Sequence, residues 1–220
     1  MLNLKYPVPE GFLNEETRRD YTIPENMKKA WAVQMDLFQE LMRVCKEHNL
    51  RVFADSGTLI GAVREKGFIP WDDDIDVAML REDYDKLLEL SAEFKVPYYL
   101  QTISTHPYYI NRYAQLHMKG TTAIRTDGKP QRHQQNIFID IFVIDTLPSS
   151  PRALKRHYVK VRKANQKLKL VRKLTHCLPK SLYLWCRNHT KILSDKYWYE
   201  QFEKVVKSVK MDDRKAYGAF

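Results

Sequence analysis

The chain has 220 residues, 44% hydrophobic and 12% aromatic, enough to bury the core of one full-sized domain and too apolar for a disordered chain. Its formal net charge is +10, and its three cysteines, Cys45, Cys177 and Cys186, are scattered without a CxxC pair, which excludes a disulfide scaffold and argues against a structural zinc site. "MLNLKYPVPEGF" lacks the apolar centre of a signal peptide, and no apolar run approaches the ~20 residues that span a bilayer, so the expected place is the cytoplasm, with at most a peripheral position on the inner face of the plasma membrane.

An irregular arm is expected over residues 1–24. Pro24 then opens a helix, "PENMKKAWAVQMDLFQELMRVCKEHN", whose Met27, Trp31, Met35, Phe38, Met42 and Cys45 recur at helical spacing and read as core packing. "LRVFAD" predicts a short strand and "SGTLIGAVREKG" a helix capped by Ser56, with Gly67 in the turn that ends it. "DIDVAML" predicts a strand and "REDYDKLLELSAEF" a helix with Tyr84, Leu87, Leu88 and Leu90 inward. "VPYYLQTIS", "YINRYAQLHMKG" and "TTAIRTDG" are β-rich, and "QNIFIDIFVIDTLP" is the clearest buried strand, closed by Pro148. From Pro151 the patterns are helical. The expected organisation is a mixed α/β core over residues 25–148, α+β in class, followed by a basic helical region over 149–220.

Charge is unevenly placed. Between Thr146 and Ser194 there are thirteen Lys or Arg residues and no Asp or Glu, which points to an anionic partner for that stretch. Leu154, Tyr158, Val161, Leu168, Val171, Leu174 and Leu178 fall there at roughly helical spacing. A lysine-rich amphipathic helix of this kind lies either on an anionic membrane surface or against the core of its own protein.

The chemistry concentrates in "GFIPWDDDIDVAML". Alternate residues of a strand share a face, so Asp74 and Asp76 are expected together, with Ile75 and Val77 turned into the core; Asp72 has the same parity but precedes the strand. Two carboxylates on one face repel unless a cation sits between them, and oxygen ligands favour Mg2+ or Mn2+. Asp140 interrupts the apolar run "IFIDIFVID" and is the expected third ligand, whereas Asp145 has the opposite parity. The alternative is a solvated acidic turn over 72–76, with Asp140 paired to a lysine or arginine. Upstream, the Ser56-Gly57-Thr58 turn stands between a strand and a helix N-terminus, where backbone N–H groups and the two hydroxyls can receive phosphate oxygens. A strand, a Gly-Ser or Gly-Thr turn, a helix and then Asp-x-Asp is the layout of the nucleotidyltransferase fold.

"DSGTLIGAVREKGFIPWDDDIDVAM", taken with "FIDIFVIDTLP", resembles the LicD family, the bacterial phosphocholine transferases whose distant relatives include fukutin-related protein. The likeness runs from about Leu50 to Pro148. It implies metal-dependent transfer of a substituted phosphate, in the type members phosphocholine from CDP-choline, to a sugar hydroxyl of a lipopolysaccharide or teichoic acid precursor. It implies Asp74, Asp76 and Asp140 as metal ligands, Ser56, Gly57 and Thr58 on the nucleotide side and Arg64 as a phosphate contact. The implied partners are a nucleotide-activated donor and a glycan acceptor, lipid-linked or not; nucleic acid is not expected. One departure stands out: the family's C-terminal motif, an acidic residue and Tyr-Gly-Asp followed by Pro and His, has no match in "DDRKAYGAF". A choline head group would favour an aromatic cage, for which Trp71, Tyr98, Tyr99, Tyr108, Tyr109 and Tyr113 are candidates, Trp71 first because it abuts the acids. His106, His117 and His133 read as local hydrogen-bonding residues. Two rivals share these features: a nucleotidyltransferase acting on nucleic acid or another small molecule, and a non-catalytic anion- or membrane-binding module on the same fold.

Overall fold

The computed structural model describes residues 4–123, 135–209 and 216–219. The chain folds as two compact units. Unit 1 comprises Met1–Gln101 and Tyr113–Val143, and unit 2 comprises Thr102–Arg112 and Ile144–Phe220. The content is α+β, as expected.

Unit 1 opens with a small hairpin, β1 (Glu16–Arg18) and β2 (Tyr21–Ile23), so the expected irregular arm contains paired strands. α1 (Glu25–Glu47) follows, with Pro24 in the capping position. Its buried stripe is Val33, Leu37, Leu41 and Val44 together with Trp31 and Cys45, whereas Met27, Met35 and Phe38 are only partly covered and Met42 is 39% exposed. The helix is apolar enough to carry two overlapping stripes at helical spacing, and the β-branched and leucine stripe is the one that meets the sheet. β3 (Phe53–Ala54) leads into α2 (Ser56–Arg64), whose capping position is Asp55 rather than Ser56. β4 (Asp76–Leu80), α3 (Arg81–Glu89), a short 3-10 turn (Leu90–Glu93), β5 (Tyr98–Gln101), β6 (Ala114–Met118) and β7 (Phe138–Leu147) complete the set. Of "TTAIRTDG", Ala123 is the last described residue and is not in a strand; the remainder, and His133, lie outside the described residues.

The strands of unit 1 run in the order β3-β4-β7-β6-β5. β3 with β4, β5 with β6, and β6 with β7 are antiparallel. One face, built by Val77, Met79, Leu100, Ala114, Leu116, Ile139 and Ile141, packs with the α1 stripe into a single core. Alternation along the strands places Asp140, Gln115 and His117 on the other face. β4 and β7 are neighbours, and Asp140 N donates to Ile75 O at 3.0 Å, so the two acid-bearing segments are joined by backbone.

In unit 2, α4 (Pro151–Thr175) starts with Pro151 behind Ser150, whose hydroxyl accepts from Ala153 N at 3.3 Å, the favoured pairing of proline in the first turn with a serine cap. α5 (Lys180–His189) and α6 (Asp195–Val206) follow. The face of α4 that turns inward is His157, Val161, Ala164, Leu168, Val171 and Thr175, packed with Tyr199, Phe202 and Val206 of α6. Only Val161, Leu168 and Val171 of the expected stripe belong to it; Leu154, Tyr158 and Leu174 are exposed. Val161, Leu168 and Val171 share the buried side with small and polar side chains, and other apolar ones remain exposed among the cations. Buried Asp195 accepts from Tyr183 Oη at 2.9 Å and pairs with Arg187, which also bonds Ile103 O. A last strand, β8 (Ala216–Gly218), pairs antiparallel with the end of β7, Gly218 opposite Asp145; no strand was expected there.

Candidate active site

Asp74 and Asp76 hold different positions in the backbone. β4 begins at Asp76, so Asp74 lies just ahead of the strand and not on its face. Ile75 and Val77 are buried on either side of Asp76, as their parity predicts. The turn that carries Asp72 and Asp73 is clamped by α1: Trp31 Nε1 donates to Asp72 O at 2.8 Å, and Gln34 Nε2 to Asp73 O at 2.7 Å. Asp76 N donates to Thr58 Oγ1 at 2.8 Å, and Asp55 N to Asp76 O at 3.0 Å, tying β4 to the start of α2.

These constraints gather carboxyl groups of one sign. Burial, then Asp74, Asp140, Asp55 and Asp72, push the Asp76 carboxyl up to about 7. Burial, then Asp72, Asp73 and Asp140, push Asp74 up to about 6, and the two acids Asp72 and Asp74 share a hydrogen bond. Burial lifts Asp140 to about 6 against hydrogen bonds from Gln115 and Tyr113 that favour its charged form. Asp72 is raised as well, by burial and by Asp73. Asp72, Asp73 and Asp74 each offer an oxygen within 4.8 Å of the others. Among the described residues no lysine or arginine forms an ion pair with any of these acids. Half-buried carboxylates that raise one another's pKa and lack a protein cation are a donor set that suits a hard divalent ion. The residues present therefore fit Mg2+ or Mn2+.

The predicted phosphate turn lies against the same acids. Ser56 has φ +48°, the left-handed region that a non-glycine residue rarely enters, and such strain collects at functional turns. A Cβ at Gly57 would collide with the Asp72 carboxylate, so only glycine lets that acid approach the first turn of α2. A cavity of ≈ 650 Å³ is bounded by Gly57, Thr58 and Asp74 on one side and by Arg18, Lys28 and Trp31 on another. Lys28 stands over the Phe12 ring at 4.7 Å and pairs with Glu16. Arg64 ends α2, about 12 Å along the axis from Ser56, and its Nε donates to Glu65 Oε1 at 2.7 Å. The structure does not bring it to the acids.

The aromatic candidates separate by environment. Tyr98 Oη donates to Asp36 Oδ2 at 2.5 Å and Tyr99 Oη to Asn136 Oδ1 at 2.8 Å, while Tyr108 and Tyr109 are buried in unit 2. Trp71 is 52% exposed, with Tyr21 edge-on at 6.1 Å. His106 shares a 2.9 Å hydrogen bond with Thr105, a local role as expected. Asp55, Gln34 and Gln115 were not singled out by sequence, and Trp31 was read there only as core packing. The sequence gives no signal for Gln115, since a glutamine that alternates with Ala114 and Leu116 reads as the solvent face of an antiparallel strand.

Residues 49–153, just under half of the chain, match the family described as LicD/FKTN/FKRP, nucleotidyltransferase domain. This segment is a LicD-family domain. The LicD match takes in α2, β4 and Asp140 of β7, the elements that carry the acids. Over 163 residues the chain is 28% identical to the lipopolysaccharide cholinephosphotransferase LicD of Haemophilus influenzae, covering 71% of this chain and 60% of that protein. Over 83 residues it is 34% identical to uncharacterized proteins of Rickettsia prowazekii and Rickettsia typhi, covering 38% of this chain and 30% and 26% of theirs. The chain thus spans less than two thirds of the length of these curated relatives. No helix among the described residues is long and apolar enough to cross a membrane.

Proposed function

We propose that this chain transfers phosphocholine from CDP-choline to a sugar hydroxyl of a cell-surface glycan, lipopolysaccharide or a teichoic acid precursor. The observation that carries this is the unneutralised cluster of Asp74, Asp76 and Asp140 beside a strained Ser-Gly-Thr turn, in a domain related to a named lipopolysaccharide cholinephosphotransferase. Asp74, Asp76 and Asp140 would hold one or two Mg2+ or Mn2+ ions. A divalent ion held there would neutralise phosphate oxygens as charge moves onto the departing nucleotide. Ser56, Gly57 and Thr58 take the donor's diphosphate with backbone N–H groups and the Thr58 hydroxyl proton, and Asp72 gives way to it, since a carboxylate and a phosphate cannot share the first turn of α2. Asp140 would take the acceptor's proton as that oxygen attacks. The acceptor oxygen then bonds to phosphorus as the bond to CMP breaks. Calorimetry tests the assignment: Mn2+ is expected to bind, and CDP-choline more tightly than ADP- or UDP-linked counterparts. No heat with Mn2+ would favour a non-catalytic module, and preference for another nucleotide would point to a different transferase.

The acceptor side is proposed to be lipid-linked and met at an anionic membrane surface. Arg152, Arg156 and Lys163 share the outer side of α4 with exposed Leu170 and Leu174, and α5 presents Trp185, 54% exposed. Cationic helices with exposed leucine and tryptophan adsorb to anionic headgroups, and salt weakens the attraction. Sedimentation with anionic vesicles is expected to carry the protein down at low salt and release it at high salt. Equal binding to neutral vesicles, or none, would remove the membrane partner.

A further inference from the structure

Asp140 is held from its neighbouring strand. Gln115, 4% exposed, is its register partner across β6 and β7. Gln115 Nε2 donates to Asp140 Oδ1 at 2.6 Å, and Gln115 Oε1 lies 3.2 Å from His117 Nε2. An amide nitrogen that faces a carboxylate leaves its oxygen to accept, so His117 carries its proton on Nε2. The His117 ring is stacked on Tyr99 at 5.1 Å and packed on Phe138 at 5.3 Å, which fixes its plane. Tyr113, which immediately precedes β6, also bonds Asp140. A flexible amide is therefore locked at both ends, by a carboxylate and by an immobilised imidazole.

We propose that Gln115 is a positioning residue for Asp140, held in that role by His117. This rests on the metal-binding role given to Asp140 above. Gln115 occupies one lone-pair direction of Oδ1 and sets the rotation of the carboxylate, leaving its remaining lone pairs to a cation shared with Asp74 and Asp76. Without that bond the carboxylate retains Tyr113 as a partner but is no longer fixed in orientation. Partners behind a ligating carboxylate commonly contribute 10- to 100-fold to metal affinity.

The probe is Mn2+ alone, titrated into the whole chain and followed by the electron paramagnetic resonance of the free ion, with the thermal midpoint of the metal-free protein measured beside it. Gln115→Met keeps the side chain's length and removes the donor. It is expected to weaken Mn2+ binding about 10-fold or more, with a metal-free midpoint close to that of the wild type. His117→Phe keeps the stack on Tyr99, loses the bond to the amide oxygen, and is expected to give a smaller loss in the same direction; it carries the test should Gln115→Met not fold. Unchanged affinity in the folded Gln115 variant, or in His117→Phe if that is the one that folds, while Asp140→Asn abolishes binding, would overturn the positioning role and leave the metal site standing. A wild-type chain that binds no Mn2+, or an Asp140→Asn variant that binds it normally, would overturn the metal assignment and the positioning role together.

Discussion

Asp76→Asn is expected to reduce phosphocholine transfer by about 10³-fold or more, the scale on which losing a group that answers transition-state charge is felt. Its backbone is fixed independently of its carboxyl, through Thr58 Oγ1 on one side and Asp55 N on the other, so the amide variant keeps the strand in place. What it loses is charge at the point where four other acids press on it. The measurement is CMP release from CDP-choline with Mn2+ and acceptor, made on the full-length protein. Glu89→Gln is the control, because Glu89 is an exposed acid at the C-terminal end of α3 and takes no part in the acid cluster. Transfer by Asp76→Asn at the wild-type rate would sink the assignment of the acids.

The second large effect is on stability. Asp74, Asp76 and Asp140 have folded-state values of about 6, 7 and 6, above the ordinary 3.8. Between these limits the folded chain binds more protons than the unfolded one, so stability falls as pH rises. Metal-free protein should therefore unfold at progressively lower temperature from about pH 5 to pH 8, and Mn2+ should restore the midpoint most at the alkaline end. His157 acts in the opposite sense, since burial lowers its value below 6.5 and it favours folding as pH rises, but it is one group against four, Asp72 being raised as well. Asp195, held down at about 2 by His176, Arg187 and Tyr183 against its own burial, loses its contribution only in strong acid. Unfolding followed by circular dichroism in a chelator gives the profile, and Asp76→Asn should flatten it. A midpoint that climbs from pH 5 to 8 without metal would contradict the repulsion on which the site rests.

Asp140 was legible because a carboxylate in an apolar strand has few explanations, and Asp76 because its neighbours Ile75 and Val77 are plainly core residues. Asp74 was placed for a weaker reason: parity applies within a strand, and β4 starts two residues later. The clamp from Trp31 and Gln34 was invisible, since both reach backbone carbonyls, which leave no mark on a sequence. Apolar spacing misled twice, in α1 and in α4, because each helix carries more than one stripe with the right period and only the packing partner selects between them. Gln115 resembled the solvent-facing half of an alternating strand, and only the fold shows it buried between the Asp140 and His117 side chains.

The clamp from α1 has an evolutionary consequence. Because Trp31 and Gln34 hold the peptide groups of Asp72 and Asp73 rather than their side chains, the path of this turn survives substitution at either position. Descendants can add, drop or exchange acids there, and so retune the chemistry, without redrawing the loop that presents it.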